Sequence, residues 1–380
     1  MTRLILIIIF FLISLLSVFK APMYYLWLLE IGVTEYPLVF AAIVAALLIA
    51  GFWVHKYQLA GTIIGIVALV LFLSPIVRSY ILASTLKNQI DTNLGINSSN
   101  KKDKPFCLGR MFSSGPKVAS KEITYIQYPD IKLNLDFYSA QISGKRPCVI
   151  VIHGGSWSSG DSKQVPELNS YLATAGYNVA AINYRLAPQY RSPLPVEDVK
   201  NAMNYLKAHA AKLNIDTNNF ILLGRSAGAQ IALVAAYTLK DAGIKGVIDF
   251  YGPADMVWGY SVPANPLVMD SRGVMERYLG GKYDSVPESY KASSPMEFVN
   301  SATPPTLIIH GENDVLVAYE HSRRLDLKLE QYNIKHYWLK LPWATHGFDF
   351  NLNGPAGQLS TYAVTRFLNS IVKTQNAPQR

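Results

Sequence analysis

Ser226 stands in Gly224-Arg225-Ser226-Ala227-Gly228, and the flanking sequence gives that serine a setting. The apolar run Phe220-Ile221-Leu222-Leu223 reads as a buried strand, and Ala229 to Lys240 reads as a helix with an apolar face. Small residues around a serine at a strand–helix junction suit a sharp turn that lifts the hydroxyl above the sheet edge. A side chain at either glycine would collide with the crossing backbone. A serine hydroxyl attacks well only when a base takes its proton. Of the seven histidines, His346 lies in the short stretch Trp343-Ala344-Thr345-His346-Gly347-Phe348, after one strand and before the last helix. A late loop of this kind lets an imidazole hang over the sheet edge. His310 reads as a strand-end residue, His55 and His209 are not placed for chemistry, and His321 and His336, in helix-like charged sequence, read as surface residues. The base needs a carboxylate to fix its tautomer. Asp314 in Gly311-Glu312-Asn313-Asp314 is the candidate, with Glu312 as its rival and Asp349 as a third choice.

The chemistry also needs backbone N–H groups aimed at the developing oxyanion. His153-Gly154-Gly155-Ser156-Trp157 follows the apolar strand 148–152, and paired glycines let backbone approach a ligand closely. Gly154, Gly155 and Ala227 are therefore the expected donors, His153 a structural loop residue, and Trp157 a candidate pocket residue. The order serine, acid, histidine is that of an α/β-hydrolase. From about Lys121 to Lys373 the chain resembles that superfamily. Specifically, it resembles esterases related to hormone-sensitive lipase and the acetyl-esterase/feruloyl-esterase-like (BD-FAE-like) group. HGGSW at 153–157, NYRLAPQYRSPLPVEDV at 183–199, GRSAG at 224–228, YGPADM at 251–256, ASSPMEFV at 292–299, PPTLIIHGENDVLV at 304–317 and THGF at 345–348 carry the resemblance. It implies a carboxylic ester hydrolase with Ser226 as nucleophile, Asp314 as acid, His346 as base, and Gly154, Gly155 and Ala227 as oxyanion donors. Ser156 departs from the third glycine of the lipase-like branch and brings the chain nearer the feruloyl-esterase-like one.

The elements that must position these residues are strands near 123–128, 133–138, 147–152, 178–183, 219–223, 246–251, 305–310 and 335–341, with helical sequence between most of them. They predict an α/β fold with a mostly parallel sheet and helices on both faces. Tyr184 to Pro188 reads as a structural strand-to-loop segment. Residues 252–299 are long for a connection and rich in Trp, Tyr and Met, so they read as a cap or pocket-lining insertion.

Half of the chain is hydrophobic, much of it near the start. Leu4–Phe19, Leu38–Val54 and Ala60–Val77 are uncharged apolar runs near the length of a membrane span, predicting a transmembrane region of three helices over 1–87. The first run reads as an uncleaved anchor. Gly61 and Gly65 have the spacing of close helix packing, and Trp27, Trp53 and Tyr57 sit where interfacial aromatics are expected. Met23–Tyr36 reads as a half-buried connection at the interface. A tally of Arg3 and Lys56 against Lys20, Arg78 and Lys87 does not decide orientation, whereas the short Arg-bearing start favours a catalytic domain outside the plasma or inner membrane. Residues 88–120 read as a polar linker ahead of a catalytic domain at 121–380. The net charge of +9, partly in Lys101, Lys102, Lys104, Arg110, Lys117 and Lys121, suits anionic headgroups. Without a binding module it does not point to nucleic acid.

Cys107 and Cys148 do not make a disulfide framework, and Cys148 reads as a small buried hydrophobe. No metal or other cofactor is implied. The expected partners are a small-molecule or lipid ester and membrane lipids; hydrolysis of a lipid ester, acyl transfer, and a catalytically inactive binding module remain the alternatives.

Overall fold

The computed structural model describes residues 1–54, 56–96 and 104–372 of the chain. His55, the stretch with Lys101 and Lys102, and the tail from Lys373 lie outside the described residues. Eight strands form one sheet: β1 (Lys121–Gln127), β2 (Lys132–Tyr138), β3 (Arg146–Ile152), β4 (Asn178–Ile182), β5 (Ile215–Arg225), β6 (Ile244–Phe250), β7 (Thr306–Gly311) and β8 (His336–Leu341). Their order is β1-β2-β4-β3-β5-β6-β7-β8, antiparallel at the β1–β2–β4 edge and parallel elsewhere. The central strands are continuous Val, Ile and Leu runs because both of their faces are covered.

The helices are α1 (Thr2–Ser14), α2 (Tyr24–Glu35), α3 (Pro37–Ile49), α4 (Gln58–Leu94), α5 (Pro166–Thr174), α6 (Leu194–Ala208), α7 (Ala210–Leu213), α8 (Ala227–Thr238), α9 (Met256–Ser261), α10 (Ser271–Leu279), α11 (Pro287–Ala292), α12 (Glu320–Gln331) and α13 (Pro355–Ile371). One face of the sheet is buried by α6, α8, α12 and the α9–α11 segment. The other is buried by α5, α13 and the second half of α4. The mostly parallel sheet with helices on both faces that the strand spacing predicts is therefore present.

The expected linker differs. Helix α4 runs past residue 87, and Leu86, Ile90 and Leu94 are fully buried in the core that holds Phe367 and Leu368 of α13. Those residues recur every fourth position among polar ones, an amphipathic stripe that composition alone reports as polar sequence. Further on, Phe106 is buried in the same core, Cys107 N–H donates to Gln358 Oε1 at 2.9 Å, and Val118 N–H to Ser170 Oγ at 3.2 Å. The described part of 88–120 thus lies on the domain. Cys107 and Cys148 are both free thiols.

α1, α3 and the first half of α4 pack together. A side-chain carbon on Gly65 would come within 2.6 Å of Leu48, so glycine there sets the close approach. Arg3 is buried, its Nε donating to Leu47 O at 2.8 Å, so it is not a free charge at a membrane surface. Outward-facing Leu12, Val39, Ile63 and Val70 leave an exposed apolar belt. Among the described residues, α4 alone is long and apolar enough to cross a membrane unaided; α2 and α3 pass only as a pair bent by 85°, and α1 is shorter.

Tyr184 to Pro188 is structural, as expected. Arg185 Nε lies 3.0 Å from both oxygens of the fully buried Asp198, whose Oδ1 also accepts from Tyr128 Oη at 3.1 Å. Asp198→Ala leaves that guanidinium buried without its main partner and is expected to cost about 3–5 kcal/mol of stability, read by urea unfolding.

Candidate active site

β5 delivers Ser226 and α8 begins immediately after it. Ser226 has φ 53° and ψ −122°, a conformation that ordinary chain avoids, and its N–H donates to Phe250 O at 2.9 Å. The flanking glycines are required. A side-chain carbon at Gly224 would sit 2.2 Å from Gly228 O, and one at Gly228 would sit 2.3 Å from Ile152 O.

The loop after β8 brings His346 Nε2 to 2.9 Å from Ser226 Oγ, and the loop after β7 brings Asp314 Oδ2 to 2.6 Å from His346 Nδ1. Both carboxylate rivals are placed elsewhere. Glu312 is exposed, while Asp349 accepts from Arg225 Nε at 2.5 Å and from Tyr251 Oη. Burial would raise the Asp314 carboxyl, but the adjacent His346 and hydrogen bonds from His310 and His346 outweigh it and hold the group well below the usual carboxylate range.

His310 is more than a strand end. Fully buried, it places Nε2 3.1 Å from Asp314 Oδ2, and its Nδ1 lies 2.6 Å from Ser322 Oγ. A consistent proton arrangement has the Ser322 hydroxyl donating to Nδ1 while Nε2–H donates to Asp314. Leu316 and Val317 N–H each donate to Asp314 Oδ1 at 2.8 Å. The signal in the sequence was only that His310 and Asp314 are four residues apart across a strand end.

The donor loop needs one correction. Gly154 N–H is already taken by Gln164 Oε1 at 2.8 Å, so it is not available to an oxyanion. The N–H groups of Gly155, Ser156 and Ala227 have no partner among the described residues. Gly155 has φ 120°, and a side-chain carbon there would overlap Ser159 O, so this turn is reserved for glycine. His153 stacks on Tyr184 with ring centroids 4.3 Å apart; burial lowers its imidazole to about 4, and Nδ1–H donates to Gly154 O at 2.7 Å. Trp157 stacks on Tyr278 at 4.5 Å and donates to Gln230 Oε1 at 2.9 Å.

Two cavities meet at Ser226. One, about 170 Å³, runs between Trp157, Met269 and Met275 on one side and Val315 to Ala318 on the other, so the 252–299 segment does line the pocket. The second, about 330 Å³, is bounded by Gly155, His346, Tyr24 and Trp27. Trp27 was expected at a membrane interface. It is buried instead, and its Nε1–H donates to His346 O at 3.0 Å across 319 residues of sequence. Glu30 of the same helix is buried beside Thr345; desolvation pushes its carboxyl up to about 8, so at neutral pH it adds little charge next to Asp314.

The BD-FAE family profile matches residues 135–329, just over half of the chain. The chain belongs to the BD-FAE family. This chain is 30% identical over 246 residues to Esterase LipC of Mycobacterium tuberculosis, covering 60% of this chain and 59% of that protein. It is 28% identical over 250 residues to the probable carboxylic ester hydrolase LipM of the same organism, covering 62% and 57%. The chain thus spans under two thirds of the length of those relatives. Among solved structures, a thermophilic esterase Est2 of Thermogutta terrifontis superposes with TM-score 0.57 at 22% identity, over 69% of this chain and 97% of that one. An acetyl ester-xyloside bifunctional hydrolase of Caldicellulosiruptor lactoaceticus gives 0.57 at 23%, over 68% and 98%. At such identities these two likenesses speak for the fold. That fold and the BD-FAE match agree with the resemblance carried by the motifs.

Proposed function

We propose that this BD-FAE chain is a membrane-anchored serine carboxylic ester hydrolase acting through an acyl-enzyme on short-chain or acetyl esters. The observation that carries the reading is one hydrogen-bonded line, Ser226 Oγ to His346 Nε2 and His346 Nδ1 to Asp314 Oδ2. In this reading His346 takes the Ser226 proton as Oγ attacks the ester carbonyl. Asp314 holds the imidazolium, and the N–H groups of Gly155, Ser156 and Ala227 receive the oxyanion. His346 then protonates the leaving alcohol, and water repeats the sequence on the acyl-enzyme.

The small apolar cavity beside Ser226 supports a short acyl group, as do the Thermogutta structures bound to propionate and to butyrate. The exposed apolar belt on α1, α3 and the first half of α4 supports a three-helix anchor, with α2 outside the spans. The test is acyl-chain profiling of the detergent-solubilised full chain with p-nitrophenyl acetate, butyrate, octanoate and palmitate. Turnover is expected to be highest on the two short esters. A maximum at palmitate would replace the short-chain reading with a lipid-ester one.

A further inference from the structure

We propose that α2 is a working part of the active site, with Trp27 a positioning residue that holds the His346 loop in register with Ser226. This rests on the ester-hydrolase reading and names a device that the reading does not require. The loop between β8 and α13 has little regular structure, and Gly347 within it has φ 83°. Side-chain bonds to Ser226 and Asp314 set the imidazole ring, while the backbone carbonyl of His346 accepts from Trp27 Nε1. The contacts continue along the helix. Glu30 neighbours Thr345, and Ile31 Cδ1 lies 3.3 Å from where a side chain on Gly347 would begin. Glu35 O accepts from Asn351 Nδ2 at 2.8 Å, and Glu35 Oε2 accepts from Ala356 N–H at 3.2 Å.

The start of the same helix is tied to the opposite wall. Tyr24 N–H donates to Leu267 O at 3.0 Å, and Asn265 Nδ2 donates to Pro22 O at 3.0 Å. Twelve residues of α2 therefore join the base-bearing loop to the pocket-lining segment, while Val33 and Trp27 belong to the apolar cluster shared with Leu16, Val44 and Phe72 of the neighbouring helices. A helix packed in this way transmits its position as a rigid body. Tyr24 and Trp27 also line the cavity with Ser226 and His346, so the substrate meets the N-terminal region directly. It follows that the hydrolase domain works only with the N-terminal helices docked.

The experiment compares Trp27→Phe, which keeps a ring and removes the donor, with wild type in the full-length chain. Misplacing a reacting group by about 1 Å can cost about 100-fold. kcat for p-nitrophenyl acetate and the rate of Ser226 labelling by a fluorophosphonate are expected to fall together by about 10-fold or more. KM should change little, and the acid limb of the pH–rate profile should move. Trp27→His, which returns a ring N–H, should recover part of the loss. Tyr25→Ala, on the same helix but exposed, should change nothing. Wild-type kcat and pH profile in Trp27→Phe would overturn the proposal. Should that variant not fold, Asn265→Ala at an exposed position decides: a raised KM supports the tie between the two walls, and an unchanged KM overturns it. A wild-type chain that neither hydrolyses esters nor labels at Ser226 would defeat the hydrolase reading alone. The brace is then read from amide exchange over residues 343–350, which must quicken in Trp27→Phe and whose constancy would overturn it.

Discussion

Ser226→Ala is expected to lower kcat on p-nitrophenyl acetate by about four to six orders of magnitude while leaving the fold intact. The hydroxyl is the group that bonds to the acyl carbon in the proposed reaction, and no second serine is held at hydrogen-bond distance from His346 Nε2 among the described residues. Alanine also fits the strained backbone at φ 53° no worse than serine, so the loss should appear in turnover and not in unfolding. His346→Ala should fall by a similar factor, and the double variant should be scarcely worse than either single one. Nucleophile and base act as one unit, so removing either already removes the shared step. Residual turnover reports donors that remain in place. Retained activity in Ser226→Ala, measured with background hydrolysis subtracted, would remove the nucleophile and with it the mechanism.

Asp314→Asn is the second large effect, expected at about 10⁴-fold in kcat. The carboxylate oxygen Oδ2 accepts from His346 Nδ1 at 2.6 Å and from His310 Nε2 at 3.1 Å. An amide offers one oxygen and one NH₂. If the NH₂ takes the Oδ2 position it faces both imidazoles, and His346 is driven to the tautomer with a proton on Nε2, which cannot accept from Ser226. If it takes the Oδ1 position it meets the N–H groups of Leu316 and Val317, donor against donor, and the loop that carries the acid must shift. Either way the acid no longer holds His346 as the carboxylate does. The depressed Asp314 carboxyl also ties stability to acid. Its contribution is complete above the ordinary carboxylate range and is lost as pH falls through the lower value it has in the fold. Asp314→Asn should therefore flatten the acid limb of the unfolding curve as well as abolish most turnover. A kcat within tenfold of wild type would place the acid elsewhere.

Much of this was legible in local sequence. All eight strands appear close to the expected places, because runs such as Cys148–Ile152 and Phe220–Leu223 must be buried on both faces. The turn at Ser226 was legible because its glycines answer a short-range steric demand. The loops of Asp314 and His346 were legible because each directly follows a strand of the same sheet, and the carboxyl ends of parallel strands share one edge.

What escaped the sequence depended on partners far away along the chain. Gly154 and Gly155 look alike as paired glycines, and only the fold shows that Gln164 occupies the N–H of the first. His310 read as a strand end until β7 and α12 closed Asp314 and Ser322 around it. Residues 88–94 looked like linker because their apolar stripe is sparse, and α13 supplies the surface that buries it. Trp27 looked like an interfacial aromatic because an indole suits that role in any apolar segment; its N–H meets His346 O only after the chain has folded back on itself. Periodicity and backbone sterics are local, so the sequence by itself determined the elements, the sharp turn at Ser226 and the order of Ser226, Asp314 and His346. Hydrogen-bond pairing is decided by which groups are brought within about 3 Å, so the tertiary structure alone decided which N–H groups are free, what holds Asp314, and that α2 forms a wall of the site.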